Sequence, residues 1–162
     1  MLLEPDTIER YARQVIVEEL GVHGQRKLLK SHAYVAGAAP GCEAAKLYLR
    51  ASGISVTADP DERVDCVIAP YPCSGADRPS PPKQDGLLPL VRFDANESDI
   101  RVDVDHIARA SLKRVAAMQD QRERDPASAA LHAAAGCNAA ATAIAILLDW
   151  PVPRCATGIR LA

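Results

Sequence analysis

The chain has 162 residues, which is enough for one ordinary domain but not for two. Its formal charge of −2 arises from 19 basic and 21 acidic residues without a long run of either sign, which argues against a nucleic-acid binder or a polybasic membrane binder. Five cysteines at scattered positions, with no C-x-x-C pair, indicate neither a disulfide framework nor a zinc knuckle.

The N-terminal residues 1–31 predict a helical pair. Asp6 and Glu9 have the spacing of a capping box, in which Asp6 accepts from backbone N–H groups and Glu9 reaches back. A helix is therefore expected from Asp6 to about Glu19. A second short helix, carrying two leucines, is expected over residues 21–30.

The sequence contains no recognisable targeting or membrane segment. No basic region precedes a long apolar run at the N-terminus, as it would in a signal peptide. The longest apolar stretch, Ala139–Leu148, is too short to span a bilayer and contains Thr142. These features favour a cytoplasmic protein without a membrane partner.

Residues 32–69 have the pattern of a βαβ core. A short apolar run is followed by a glycine turn, a helix of buried-type composition and a glycine at its end, then an alternating run. Strand, turn, helix and strand in this order are the start of a parallel sheet. The predicted elements are a strand over 32–36, a helix over 42–52 ended by Gly53, and strands over 54–58 and 64–69.

The rest of the chain predicts a long loop and further strands and helices. Residues 70–86 lie in a proline-rich segment, which excludes a regular helix or a central strand there. Over 87–162 we expect a strand at 87–93, an edge strand or turn at 100–104, a helix at 106–124 capped by Asp103 or Asp105, a helix from Asp125-Pro126 to about Asp149, and a short strand within 155–162.

Together these elements predict a single α/β domain over residues 1–162. Its sheet should be a trimmed Rossmann-like, mostly parallel sheet with helices on both faces, beside the N-terminal helical pair. The apolar helix over 131–148 is a candidate interface. The four histidines are isolated from one another and suggest no metal cluster.

The turn Gly37-Ala-Ala-Pro-Gly-Cys42 lies where a phosphate-binding glycine loop would lie. Glycine allows the backbone to approach a phosphate closely, but here Ala39 and Cys42 occupy the second and third places of G-x-G-x-x-G. Gly41 is out of step with the motif. Cys42 has two interpretations, a thiol whose pKa is lowered at a helix N-terminus or a small core residue.

Several motifs in this region occur in a fixed order. Arg10-Tyr-Ala-Arg-Gln14 is followed by Gly21-Val-His-Gly-Gln25, then by Lys27-Leu-Leu, the glycine turn, and a helix that ends at Gly53. This order resembles the N-terminus of the ThiF/MoeB family, relatives of ubiquitin-activating enzymes. The family adenylates the C-terminal carboxylate of a small ubiquitin-like or sulfur-carrier protein, with ATP and magnesium.

The resemblance implies a nucleotide site built from a few residues. Family dimers use an arginine of R-Y-x-R-Q to reach the nucleotide of the neighbouring subunit, and Arg13 matches it. Asp59, in Asp59-Pro-Asp61, matches the aspartate that holds the ribose. The turn positions Gly37, Ala39 and Gly41 complete the expected cofactor-binding set.

The sequence also departs from the family in its catalytic middle. Asp61 is followed almost at once by Val64–Ala69, so a helix, a strand and their phosphate-contacting arginine and lysine are missing. The aspartate that binds magnesium in the family falls at Pro72, which has no side-chain ligand. Since adenylation relies on positioned cations, little catalytic power is expected.

Three functional hypotheses remain open on these grounds. The first is a domain that has lost adenylation and serves as a dimerising structural or binding partner, with no cofactor, no catalytic residue and no metal ligand. The second is a minimal adenylyltransferase acting on a small carrier protein or peptide, with ATP and magnesium if the site survives. The third is a nucleotide-binding module without chemistry. The expected partner is a second copy or an active relative.

Overall fold

In a computed structural model the chain forms one six-stranded sheet flanked by helices. The structure describes residues 4–60, 62–71, 86–95, 99–109, 112, 115, 126–152 and 159–160. The strands are β1 (His32–Val35), β2 (Ser55–Thr57), β3 (Cys66–Pro70), β4 (Leu87–Ala95), β5 (Asp99–Ala108) and β6 (Ile159–Arg160). The helices are α1 (Pro5–Arg10), α2 (Ala12–Val15), α3 (Gly21–Leu29), α4 (Pro40–Ala51) and α5 (Pro126–Leu147).

The sheet has a parallel part and an antiparallel edge. The strand order is β2-β1-β3-β4-β5-β6. The pairs β2–β1, β1–β3 and β3–β4 are parallel, whereas β5 and β6 add antiparallel strands. The expected trimmed Rossmann-like α/β sheet is therefore confirmed, with β1 and β3 as the two inner strands of its parallel part.

The two faces of the sheet are buried by different elements. On the first face, helices α3, α4 and α5 cover a core that includes Leu49, Val91 and Phe93. On the second face the core includes Val67, Leu90 and the helical residues Leu112 and Val115. Because side chains alternate along a strand, successive residues of β3 and β4 enter these two cores in turn.

The N-terminal helix is shorter than predicted and is interrupted. Glu4, not Asp6, is the N-cap residue of α1, Pro5 occupies the first turn, and no side chain caps the helix. The predicted helix is interrupted at Tyr11, whose side chain is buried. Its second part, α2, ends at Val15 and does not continue to Glu19. The N-terminal region thus holds three short helices, the third of which matches the predicted helix over 21–30.

Strand β5 corrects two predictions. It lies between β4 and β6 and so is neither an edge strand nor a turn. It also continues to Ala108, so Asp103 and Asp105 lie within a strand and cap no helix at His106. Beyond Arg109 the predicted helix falls largely outside the described residues, although positions 112 and 115 are helical. The proline-rich residues 72–85 also lie outside the described part.

Helix α5 is longer than the apolar run suggested. By length and composition alone its residues Ser128–Leu147 are sufficient to cross a membrane, in contrast to the expectation from Ala139–Leu148. In this structure its alanines at 135, 139, 140 and 143 are fully buried against the sheet and α4. Close helix packing accounts for its alanine-rich composition.

The connection from β2 to β3 is short. Only the eight residues 58–65 lead from the end of β2, past β1, to the start of β3. The Arg109 guanidinium donates to the carbonyl oxygens of Glu62 (3.3 Å) and Val64 (2.9 Å), and Val64 is fully buried on the second face. Val64 and the Arg109 guanidinium therefore anchor the end of this connection to the fold.

Candidate functional site

The glycine turn follows β1, the strand at which the order of strand addition across the sheet reverses. From β1 the chain passes to β2 on one side and then returns to β3 on the other. Ligands of open α/β sheets bind at such a switch point, beyond the carboxyl ends of the strands. Gly37 adopts φ +97°, which favours glycine, and Ala39 is the extended N-cap residue of α4.

Two side chains of α4 fold back on the turn. The Lys46 ammonium donates to the Gly37 carbonyl oxygen (2.9 Å) and pairs with the Glu43 carboxylate (2.7 Å). Cys42 is fully buried, and its thiol donates to the Ala36 carbonyl oxygen (3.1 Å). The core interpretation of Cys42 thus fits its surroundings, while Lys46 is a cation at the turn that motif analysis missed.

Gly41 lies where helices α4 and α5 pack against each other. A Cβ atom at this position would lie 2.5 Å from both the His132 carbonyl oxygen and the Phe93 ring. At Gly136 a Cβ atom would lie 1.9 Å from the Gly41 carbonyl oxygen. The two glycines therefore allow α4 and α5 to touch, which explains why Gly41 is out of step with the phosphate motif.

Asp59 lies just beyond β2 in a compact turn. Its backbone N–H donates to the Thr57 hydroxyl (3.1 Å), and this hydroxyl also pairs with the Glu62 carboxylate. The Tyr34 hydroxyl group on β1 has a raised pKa, first because it is buried and second because of the Asp59 charge. Asp59 and the glycine turn lie at the carboxyl ends of the neighbouring strands β2 and β1.

Within one chain, Arg13 does not lie near the glycine turn or Asp59. It lies exposed in α2, and the next residue, Gln14, donates from its side-chain amide to the Ala51 carbonyl oxygen (3.1 Å). Ala51 is the last residue of α4, about 15 Å along the helix axis from Gly41. The arginine thus lies at the opposite end of α4 from the turn.

The motif residues around Arg13 close the C-terminal end of α4. The Gln25 side chain is fully buried and donates to the Ser52 carbonyl oxygen (3.0 Å). Gly53 adopts φ +93°, and a Cβ atom there would lie 3.2 Å from the Tyr11 ring. These contacts satisfy carbonyl groups that a helix end leaves without partners.

A polar group on the second face adjoins the end of β3. The guanidinium groups of Arg92 and Arg101 each lie 5.0 Å from the centre of the Tyr71 ring. Arg92 pairs with Asp105 (2.6 Å) and Arg101 with Asp103 (2.8 Å). Burial and the charge of Asp105 raise the pKa of Asp103. The two cations at this edge are thus already neutralised by carboxylates.

The predicted nucleotide-site residues of the turn and Asp59 lie at one edge of the sheet, with one lysine beside them. Gly37, Ala39 and Asp59 converge at one edge, with Lys46 as a cation that already has two partners. Within the described ranges no three metal-ligating side chains cluster together. The position at which the family's magnesium ligand would fall, Pro72, is outside these ranges.

Part of the chain is similar in sequence to known proteins. No family model matches the chain. A block of 53 residues is 53 % identical to the adenylyltransferase and sulfurtransferase MOCS3 of Anopheles gambiae, and 49 % and 47 % identical to those of Aedes aegypti and Dictyostelium discoideum. This block is 32 % of the present chain but 12 % of each relative.

A likeness in fold extends much further than the likeness in sequence. The crystal structure of PaaA superimposes with a TM-score of 0.60, covering 93 % of this chain and 77 % of that one, at 12 % identity. This similarity concerns the fold alone. The 53-residue block, not the fold, is what supports a partial ThiF/MoeB-like member.

Proposed function

We propose that this ThiF/MoeB-like domain does not adenylate and serves as a dimerising structural or binding partner. The observation that carries the proposal is the eight-residue connection between β2 and β3. In the family that the sequence resembles, this part of the chain supplies an arginine and a lysine that contact phosphates. Here the connection is too short for a further helix and strand.

The turn itself also supports the proposal. Pro40 is the first residue of α4 and has no N–H group, so one donor is missing from the helix end that would face a phosphate. The Lys46 ammonium already has the Gly37 carbonyl oxygen and the Glu43 carboxylate as partners. A triphosphate would have to compete with both of them.

Calorimetric titration with ATP and magnesium tests the loss of adenylation. We expect no saturable binding up to about 1 mM ATP, equivalent to a binding free energy weaker than about −4 kcal/mol. We also expect no pyrophosphate exchange when a small carrier protein is added. The Gly37→Ala variant, strained because of its positive φ, should give the same flat titration as the natural chain.

Saturable binding that Gly37→Ala abolishes would instead support a nucleotide-binding module without chemistry. The feature that favours this second candidate is the left-handed Gly37 at the switch point, with Asp59 at the neighbouring strand end. Pyrophosphate exchange would contradict both proposals and would indicate a minimal adenylyltransferase.

The N-terminal helices supply the surface that we propose for dimerisation. Between residues 4 and 20, Tyr11 is the one buried side chain. Ile16 is 80 % exposed, and Ile8, Val17 and Val22 are 38–44 % exposed. Since this segment buries so little apolar surface in its own chain, contact with a second protein would stabilise it. Arg10 and Arg13 lie in the same segment.

Replacing Ile16 with arginine should weaken self-association. Burial of an isoleucine contributes about 1.5–3 kcal/mol, and a symmetric dimer carries the substitution twice, so the dimer dissociation constant should rise at least about 100-fold. Light scattering over a concentration series measures this change. The matched control is Val104→Arg on β5, which is 42 % exposed and lies between two aspartates. A natural chain that is monomeric at all concentrations would contradict self-association.

A further inference from the structure

His132 is a buried histidine whose second ring nitrogen has no hydrogen-bond partner among the described residues. Its side chain is 6 % exposed on helix α5. The ring atom Nδ1 lies 2.8 Å from the Ser128 carbonyl oxygen, one helical turn earlier. Because a carbonyl oxygen can only accept, Nδ1 carries the proton. In its neutral form the ring presents a lone pair at Nε2, for which the described residues supply no hydrogen bond.

A carboxylate, which is also an electron-pair donor, faces this lone pair. The Oδ1 atom of Asp94, near the end of β4, lies 3.7 Å from His132 Nε2. This distance exceeds that of a hydrogen bond. The Asp94 carboxylate is 51 % exposed, whereas the Nε2 atom of His132 is out of contact with solvent. Two Lewis bases thus face each other on two packed elements of the fold.

We propose that His132 Nε2 and the Asp94 carboxylate bind a divalent transition-metal ion of the zinc type. Zinc–nitrogen and zinc–oxygen bonds of about 2.0–2.2 Å would span 3.7 Å at an angle of about 125°, and closing the gap by about 0.3 Å gives the tetrahedral angle. An imidazole ligand favours zinc over magnesium or calcium, which prefer oxygen.

The hydrogen bond at Nδ1 is what a metal-binding histidine needs. Ligating histidines donate their other N–H group to a carbonyl or carboxylate, which fixes the tautomer and the ring orientation. The Ser128 carbonyl oxygen has this role here. The ring is also held by the tight contact between α5 and Gly41, since the His132 backbone itself packs there.

The site has two protein ligands and open coordination positions. No third histidine, cysteine, aspartate or glutamate joins the pair among the residues described. Water or a donor group from a bound molecule would complete the coordination. The site lies beside the N-terminus of α4 but uses none of the predicted nucleotide-binding residues, so it is independent of the proposed function.

Zinc titration of the ¹⁵N-labelled chain tests the site directly. Serine replaces Cys73 and Cys155 in this experiment, because thiolates also bind zinc. At pH 7 we expect one zinc ion per chain and a shift of the His132 Nε2 resonance, while Nδ1 keeps its proton. Since zinc would bind the folded chain only, saturation about 100-fold above the dissociation constant should raise Tm by roughly 5–10 °C.

Two variants separate this site from unspecific zinc binding. Asp94→Asn keeps the shape of an exposed side chain but should weaken zinc binding at least about 10-fold, whereas His23→Gln, at an exposed histidine of α3, should leave it unchanged. An Nε2 resonance that responds to pH but not to 1 mM zinc would overturn the proposal in favour of a proton shared with Asp94. Equal zinc affinity in Asp94→Asn would also overturn it.

Discussion

Replacing Gly136 with alanine should lower the free energy of unfolding by roughly 3 kcal/mol or more. The added Cβ atom would lie 1.9 Å from the Gly41 carbonyl oxygen, 2.6 Å from the carbonyl carbon and 2.8 Å from Cα. All three are backbone atoms, so no side-chain rotation relieves the clash. The helices α4 and α5 would have to separate, and the core between them would open.

Urea unfolding followed by circular dichroism measures this loss. The matched control is Gly24→Ala in α3, where the added Cβ atom would meet the flexible Leu20 side chain at 2.7 Å. Alanine is also favoured over glycine in a helix by about 1 kcal/mol, so we expect the control to change stability by no more than that. A Gly136→Ala variant as stable as Gly24→Ala would show that α4 and α5 do not touch at this point.

The protein should lose stability steeply at alkaline pH because of Cys66. Burial raises the pKa of this thiol from its ordinary 9.0 to about 12, and the charge of Asp65 adds to the effect. A raised pKa means that the folded state resists ionisation. The stabilising contribution is therefore complete below pH 9 and disappears as the pH rises towards 12.

The size of this effect follows from the shift in pKa. Each unit corresponds to about 1.4 kcal/mol, so Cys66 alone should account for about 2–3 kcal/mol of lost stability by pH 11. Urea unfolding of the natural chain and of Cys66→Ala between pH 8 and 11 isolates the thiol. The variant should be less stable at pH 8 because of its smaller side chain, but its decline should be shallower. Parallel declines would contradict the prediction.

The sequence predicted the parallel core of the sheet well. The strand at β1, the helix α4 and Gly53 at its end all follow from local patterns, namely an apolar run, helical spacing and a glycine with positive φ. These signals act within a few residues of each other. They also place the glycine turn at the carboxyl edge of the sheet.

Strand β5 shows why other parts could not be predicted. Ile100 and Val102 enter the first core, whereas Ile107 enters the second. The apolar residues of β5 thus move from the first face of the sheet to the second along the strand. The reason is that the second face is polar around Arg92 and apolar around Leu90. A pattern that depends on neighbouring strands is not visible in a single segment, so in the sequence alone the aspartates of β5 have the pattern of helix caps.

The candidate site shows a similar limit. The turn and Asp59 could be located from motif spacing, but the roles of Gly41 and His132 depend on α5, which is distant in sequence. The contacts of Lys46 with the turn depend on side-chain geometry that no motif encodes. For the same reason, Arg13 could be matched to a family motif without revealing that it lies far from the turn.

The closure of α4 by Tyr11, Gln14 and Gln25 bears on how chains of this kind diverge. These residues belong to the motifs that carry the resemblance, and the contacts they make within the chain hold the C-terminal end of α4. A chain that lost the phosphate-contacting helix and strand would still need these three residues, because without them the C-terminal end of α4 would lose its packing contacts. The sequence similarity in this block therefore reflects a shared way of packing helix α4. Such similarity can persist in a chain whether or not the chain keeps the activity of its relatives.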